Sequence, residues 1–225
     1  MLEVEENAAK PEAPLTSHPP HPAAGGQPPA IRLVVGLGNP GLDYESTPHN
    51  LGFLTLDRLA EQAGIRIRRK ECLALVGQGL VEGRPVVLAK PQTYMNLSGQ
   101  SVRMLLEKHG LTPREMVLVF DDLDLPWMSM RIRAKGSPGG HHGVESVGRE
   151  VGTTDFARVR LGIAGYRVAD GARFVLAPFR RAQKKQLDEL LDQAAQAVTS
   201  VISEGVEKSM TKFNRRARGE KTEEE

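Results

Sequence analysis

The 225-residue sequence contains one cysteine, Cys72, and no long run of apolar residues. A single cysteine cannot form an internal disulfide, and we assign Cys72 to packing rather than to chemistry. No apolar run approaches the roughly 20 residues that a membrane-spanning helix needs. These absences exclude a disulfide scaffold and a membrane-spanning chain, and we expect a cytoplasmic protein.

Apolar periodicity is also missing from both ends of the chain. Residues 1–30 are rich in Pro, Ala and Gly, which predicts a disordered N-terminal extension. Several glutamates crowd its start and no apolar stretch follows, which argues against a targeting signal. Residues 215–225, with several charges, predict a flexible tail. We therefore place one globular domain at residues 31–214.

Positive charge is modest overall but locally concentrated. The net charge is +2, while the first 30 residues hold four glutamates against one lysine. The remaining excess is clustered in RIRRK (66–70), RIRAKG (131–136) and FARVRLG (156–162). Such clusters could neutralise phosphates, but alternating arginines are also typical of a half-buried strand with a solvated basic face. On charge alone we favour the solvated face.

The segment RLVVGLGNPGLDYESTPHN, residues 32–50, contains the glycine pattern of a dinucleotide-binding loop. Its apolar start predicts a buried strand at 31–35. A dinucleotide site also needs a helix that opens on the glycines, and Pro40 keeps the chain irregular here. The Thr-Pro pair favours a helix over 48–63. A dinucleotide site also needs an acidic residue at the end of a second strand, whereas the candidate, Asp57, falls inside this helix. A nucleotide-dependent oxidoreductase is therefore our third hypothesis.

Strands and helices alternate through the rest of the sequence. We predict a hairpin that turns at Glu82 and Gly83, and a helix that ends at Gly110. The further predicted strands lie at 73–80, 85–89, 116–120, 131–134 and 157–163, and the helices at 98–109, 143–151 and 181–204. This alternation predicts a single α/β domain with a mixed twisted sheet flanked by helices on both faces.

Polar residues cluster in the loops that follow the predicted strands, where an open α/β sheet binds ligands. Asp121 follows an apolar strand, and its carboxylate could orient His49 and fix its tautomer. On position alone, a surface imidazole in a first helical turn is the commoner case for His49. Ser98 and Ser101 fall at a helix start, where N-capping is their ordinary role. A histidine and an aspartate without a nucleophile suggest activation of water.

Four segments resemble the successive signatures of bacterial-type peptidyl-tRNA hydrolases, over roughly residues 31–210. They are VGLGNPGLDYESTPHNLGF, KPQTYMNLSGQSV, FDDLDLPWMSMRIRAKGSPGGHHG and FARVRLGIAG. The resemblance implies hydrolysis of the ester that joins a peptide to the terminal ribose of tRNA, which recycles tRNA from prematurely released chains. We expect a monomer with peptidyl-tRNA as its partner, no obligate protein partner, and neither a cofactor nor a metal.

Position by position, the resemblance assigns roles to individual side chains. His49 becomes the base that activates water, and Asp121 the carboxylate that orients it. Asn39 and Asn96 hold the substrate and polarise the scissile carbonyl. The other implied roles are peptide-channel lining by Tyr44, Tyr94 and Met95, substrate contact by His141 and His142, and contact with tRNA phosphate by Arg133 and Arg160.

The chain departs from the family pattern at two positions. Pro48 stands where the family usually has Arg, and His142 stands where it has Asn. Pro48 suits a helix start, whereas His142 replaces an amide that grips the substrate. The second hypothesis is a non-catalytic RNA-binding relative. The joint presence of His49, Asp121, Asn39 and Asn96 argues against it.

Overall fold

The computed structural model describes residues 30–164 and 170–214. The predicted tail and all but the last residue of the predicted N-terminal extension lie outside these ranges, so the domain boundaries at 31–214 stay a prediction. The strands are β1 (Leu33–Gly36), β2 (Arg69–Glu71), β3 (Ala74–Val81), β4 (Arg84–Pro91), β5 (Met116–Pro126), β6 (Met130–Arg133) and β7 (Ala157–Ala164). The helices are α1 (Leu51–Gln62), α2 (Ser98–His109), α3 (His142–Val151), α4 (Gly171–Leu176), α5 (Arg181–Glu204) and α6 (Val206–Phe213).

The seven strands form one mixed sheet in the order β2-β3-β4-β1-β5-β7-β6. Strands β4, β1, β5 and β7 run parallel to one another. The outer pairs β2–β3, β3–β4 and β6–β7 are antiparallel. The carboxyl ends of the four parallel strands therefore share one edge of the sheet, and the loops that follow them meet there.

Helices cover both faces of the sheet, because alternate residues of each strand point to opposite sides. Leu33 and Val35 of β1 join an apolar cluster that includes residues of α2 and α3. Val34 joins a second cluster, which includes residues of α1 and α5. The α/β fold with a mixed sheet and two helical layers is thus confirmed. In the described part of the chain, no helix combines the length and apolarity needed to cross a bilayer.

Close packing of glycines brings the start of α1 against the ends of β1 and β5. A Cβ atom on Gly36 would lie 2.3 Å from the carbonyl oxygen of Gly52, and one on Gly52 would lie 2.3 Å from that of Val119. Only glycine permits so close an approach at both positions. Gly36, the first glycine of the GLGNPG segment, thus serves packing. Helix α1 begins only at Leu51 and does not open on these glycines, which agrees with the argument against a dinucleotide site.

The predicted elements are largely confirmed, with differences at the carboxyl edge. The helix predicted over 48–63 begins as a 3-10 turn, Pro48–Asn50, and becomes α-helical at Leu51. Strand β5 continues past residue 120, because its pairing with β7 extends through Asp122 and resumes at Pro126 after a register shift. Short or strongly polar elements, namely β2, α4 and α6, were not predicted.

Candidate active site

Asp121 lies within β5, two strands from the β6 edge, and its side chain is only 2% exposed. Its Oδ1 atom meets two imidazoles, His49 Nδ1 at 2.9 Å and His141 Nε2 at 3.1 Å. His49 comes from the 3-10 turn before α1, and His141 immediately precedes α3. The fold therefore brings His49 to Asp121, as predicted, and adds His141 to the same oxygen.

The protonation of these three side chains follows from their surroundings. Burial opposes ionisation of Asp121, but the facing His141 and His49 outweigh it and hold the pKa of this carboxyl well below its usual range. An ionised carboxylate only accepts hydrogen bonds, so both imidazoles donate to it. His49 therefore carries its proton on Nδ1, and its Nε2 remains as an acceptor.

His141 is fixed from both of its ring nitrogens. Its Nδ1 accepts hydrogen bonds from the main-chain N–H groups of Gly143 at 3.1 Å and Val144 at 3.3 Å, and so caps α3. The His141 ring also packs edge-on to Phe120, with centroids 4.9 Å apart. Because Nδ1 accepts, Nε2 carries the proton that is donated to Asp121.

The ligand atoms of His49, Asp121 and His141 all lie within 4.8 Å of one another, a spacing that a metal ion could bridge. Both imidazole nitrogens next to the carboxylate carry protons in this arrangement, and the other nitrogen of His141 is occupied by the start of α3. A metal would have to displace these hydrogen bonds. The geometry therefore fits a hydrogen-bonded triad better than a metal centre.

Asn39, predicted to hold the substrate, is locked in one orientation. Its Oδ1 accepts from the main-chain N–H of Met95 at 2.8 Å, which leaves its Nδ2 as the available donor. Asn50 holds the main chain of Asn39 on both sides: Asn50 Oδ1 accepts from Asn39 N at 2.8 Å, and Asn50 Nδ2 donates to Asn39 O at 3.0 Å. Asn50 was not predicted, because it falls inside the helix predicted over 48–63 and nothing in the sequence indicates its contact with Asn39.

A cavity of about 280 Å³ opens beside the triad. Its lining includes His49, Asp121, His141, His142 and Arg160, all of which were predicted site residues. Three residues from α4, Gly171, Ala172 and Val175, form another wall that the sequence did not reveal. The fold thus gathers five predicted residues around one cavity.

The other predicted peptide contacts lie outside this lining. Met95 is buried beside α3, where a Cβ on Gly143 would come within 2.4 Å of its sulfur. Tyr94 and Asn96 flank it and are exposed, and Tyr44 is half-buried in its own 3-10 turn. The structure therefore connects Met95 with Asn39 directly, and places the tyrosines and Asn96 near the surface.

The basic residues divide into three environments. Arg133 is half-buried, and burial together with the nearby Arg131 and Arg160 lowers its pKa. Arg160 donates from Nε to the buried carboxylate of Asp122. Arg158 is only 1% exposed. The solvated-face interpretation is therefore wrong for Arg158. Arg158 and Arg160 alternate along β7, but the first is buried and the second pairs with Asp122.

No serine or cysteine lines the cavity in the described residues. The predicted N-capping role of Ser98 and Ser101 is wrong, since Leu97 occupies the N-cap of α2 and makes no side-chain cap. Ser101 Oγ instead donates to the carbonyl oxygen of Cys72 at 2.7 Å. Burial raises the pKa of the Cys72 thiol, which makes it a poor nucleophile. The prediction of water activation without a side-chain nucleophile fits these positions.

The two positions that depart from the family pattern lie in different surroundings. Pro48 is buried at the start of its 3-10 turn. The His142 side chain is 74% exposed, and its Nδ1 lies 3.6 Å from the exposed carboxylate of Glu145. Pro48 therefore serves the turn that carries His49, whereas His142 is free to meet a ligand at the cavity rim.

Comparisons with known proteins agree with this architecture. The family model described as peptidyl-tRNA hydrolase matches residues 33–223. A peptidyl-tRNA hydrolase of Solibacter usitatus is 54% identical over 193 residues, which cover 85% of this chain and 98% of the relative. One of Koribacter versatilis is 48% identical over 188 residues, covering 83% and 94%.

The crystal structure of peptidyl-tRNA hydrolase from Acinetobacter baumannii aligns with a TM-score of 0.78 at 31% identity, covering 84% of this chain and 97% of that one. The sequence and structural matches therefore span nearly the whole described fold, including all three members of the triad. By the extent of the family match and the identity to these relatives, this chain belongs to the peptidyl-tRNA hydrolase family.

Proposed function

We propose that this chain hydrolyses the ester between the peptide and the terminal ribose of peptidyl-tRNA, with His49 as the base. The observation that carries this proposal is the hydrogen bond from His49 Nδ1 to the buried, ionised Asp121. It leaves Nε2 of a cavity-lining imidazole as an acceptor for a proton from water. Family membership supplies the substrate, and the triad supplies the chemistry.

In the proposed reaction, His49 Nε2 removes a proton from water as the water oxygen attacks the ester carbonyl carbon. The carbonyl oxygen becomes an oxyanion, and Asp121 stabilises the imidazolium that forms on His49. When the ester C–O bond breaks, the imidazolium returns the proton to the ribose hydroxyl that leaves. The products are the peptide acid and free tRNA, and His49 ends neutral.

Asn39 is the proposed donor to the substrate carbonyl, because its Oδ1 is occupied by Met95 N–H and its Nδ2 is not. A neutral donor of fixed orientation is suited to a developing oxyanion. Asn96, Tyr44, Tyr94 and Met95 are proposed to contact the peptide, and Arg133 with Arg160 the tRNA phosphates. His141 and His142 are proposed to border the same substrate at the start of α3.

We also propose that the chain acts as a cytoplasmic monomer without an obligate protein partner or a cofactor. The side chains that the proposed reaction uses, His49, Asp121 and Asn39, all belong to this chain.

The test is release of the blocked amino acid from N-blocked aminoacyl-tRNA, with a chelator present and no nucleotide added. We expect turnover by the wild type, and a fall in kcat of roughly 10²- to 10⁴-fold in His49→Ala. The matched control is His109→Ala, which removes another carboxylate-bound histidine far along the sheet. Failure of the wild type to release product would refute the function, and near-normal rates in His49→Ala would refute the base.

A further inference from the structure

Among the described residues that are less than 2% exposed, Arg158 is the largest. In residues 30–164 and 170–214, no carboxylate forms an ion pair with it, and its Nε has no hydrogen-bond partner. Burial and the nearby Arg160 lower the pKa of Arg158 to about 10, so it remains a cation at neutral pH. Burying a cation without a counter-ion is unfavourable unless hydrogen bonds satisfy its N–H donors.

The guanidinium of Arg158 donates to four main-chain carbonyl oxygens. Nη1 donates to Gly136 O at 2.7 Å and Ser137 O at 3.0 Å. Nη2 donates to Thr154 O at 2.8 Å and Phe156 O at 3.4 Å. The guanidinium carbon also lies 4.6 Å from the centroid of the Phe156 ring. One planar cation thus joins two separate stretches of chain.

These two stretches flank α3. The first, residues 134–140, links β6 to His141, and the second, residues 152–156, links α3 to β7. The first loop ends in Gly139 and Gly140, which have φ angles of 60° and 76°. Among described residues, its other main-chain link is His141 N to Pro138 O at 3.1 Å. Among the hydrogen bonds of the described residues, those from Arg158 therefore tie this loop to the neighbouring strand β7.

We propose that Arg158 is a positioning residue of the active site, because its guanidinium holds loop 134–140 where His141 reaches Asp121 and His142 borders the cavity. The proposal rests on the proposed function, since it concerns the same site. A guanidinium suits this task, because its donors form a rigid planar fork that addresses both loops at once. A lysine ammonium is a point charge and cannot span the two loops in this way.

The test compares Arg158→Lys and Arg158→Ala with a matched control, Arg114→Gln. Arg114 is 64% exposed and binds Asp155 from outside the second loop, so its loss leaves the carbonyl contacts intact. We expect kcat/KM on N-blocked aminoacyl-tRNA to fall roughly 10- to 100-fold in Arg158→Lys, mainly through kcat, since small misplacement of reacting groups slows chemistry. The control should stay within about twofold of wild type.

Two further readouts separate positioning from loss of fold. Millimolar guanidinium should restore part of the activity of Arg158→Ala, whereas methylammonium should not. In nitrogen NMR spectra of the substrate-free protein, the ring signals of His141 should shift in Arg158→Lys while those of His109 stay in place. If Arg158→Ala fails to fold, the lysine variant and its spectrum decide the question.

The proposal is overturned if Arg158→Lys keeps the wild-type kcat/KM, or if the His141 ring signals do not change in that variant. The ring signals are read without substrate. A wild-type protein that does not hydrolyse peptidyl-tRNA would therefore count against the proposed function and leave the positioning test interpretable.

Discussion

Two buried carboxylates in this fold bind histidine, and they differ in what else surrounds them. Glu71 on β2 meets His109 Nε2 at 2.7 Å, Arg69 Nη2 at 2.7 Å and Lys108 Nζ at 3.4 Å. Burial opposes ionisation of Glu71, but these partners outweigh it and hold the pKa of Glu71 below its usual range. Asp121 is separated from β2 by three strands, and the side chains of the described residues that bond to its carboxylate are imidazoles alone.

The difference shows why a histidine–carboxylate pair alone does not indicate an active site. At Glu71 the permanent cations of Arg69 and Lys108 balance the negative charge. At Asp121 both partners are imidazoles, and both border a cavity. A carboxylate held by cavity-lining imidazoles can support proton transfer, whereas one paired with Arg and Lys serves stability.

The largest expected contrast is between Asp121→Asn and Glu71→Gln, which remove the negative charge from each region. Asp121→Asn should lower kcat by roughly 10²- to 10⁴-fold, because His49 loses the carboxylate that fixes its tautomer and stabilises its protonated form. Glu71→Gln should leave kcat unchanged. Single-turnover hydrolysis of N-blocked aminoacyl-tRNA measures both, and equal losses would mean that the two regions do not differ in role.

The two carboxylates should also differ in how much they contribute to the free energy of unfolding, and both contributions should depend on pH. A folded-state pKa below the unfolded value means that an ionised carboxylate stabilises the fold above about pH 4, and that this stability is lost as the pH falls further. At pH 7 we expect Asp121→Asn to lower the free energy of unfolding by roughly 1–3 kcal/mol. Glu71→Gln should cost about 1 kcal/mol or less, because Arg69 and Lys108 are half-exposed.

Urea unfolding at pH 7, 4 and 3 measures these differences. The difference in unfolding free energy between wild type and Asp121→Asn should narrow as the pH falls from about 4 to 3, because the Asp121 carboxyl becomes protonated in the unfolded chain there. A difference that does not narrow below pH 4 would contradict the low pKa of Asp121 in the folded protein.

The cations of the two regions should respond differently to salt during tRNA binding. Arg133 makes no ion pair with the described residues, so Arg133→Gln should reduce the slope of log affinity against log salt by about 0.7–0.9. Arg160→Gln should reduce it less, because Asp122 already neutralises this guanidinium. Arg69→Gln is the control, and its slope should match wild type. An unchanged slope in Arg133→Gln would mean that Arg133 faces solvent and does not contact tRNA phosphate.

The smallest expected effect belongs to His142, an exposed imidazole without a buried carboxylate. An imidazole donor can replace one amide donor, so His142→Asn should change KM by only about twofold, and His142→Ala should raise it several-fold. The acid limb of the pH–rate profile should persist in both variants, since we assign it to His49. Loss of that limb in His142→Asn would make His142 a second titrating partner in the chemistry.

The sequence could predict those features that depend on the local pattern of residues and on where the strands end. His49 and Asp121 could be paired because His49 lies in the first turn of the helix predicted after the first strand, and Asp121 directly follows another predicted strand. The burial of Arg158 could not be predicted, because an alternating basic strand looks the same whether its partner is solvent or main-chain carbonyls. The bond from His141 to Asp121 likewise depends on where loop 134–140 is held. The wall contributed by α4 comes from a helix too short to show periodicity.

The proline that follows Asn39 has a consequence for how the protein ages. Spontaneous deamidation of asparagine usually begins when the next main-chain nitrogen attacks the side-chain amide and forms a succinimide. Residue 40 is proline, whose nitrogen carries no hydrogen and cannot form that ring. The proline that keeps the glycine loop irregular thus also protects the amide proposed to meet the substrate from its commonest chemical damage, and spares the site a misplaced carboxylate.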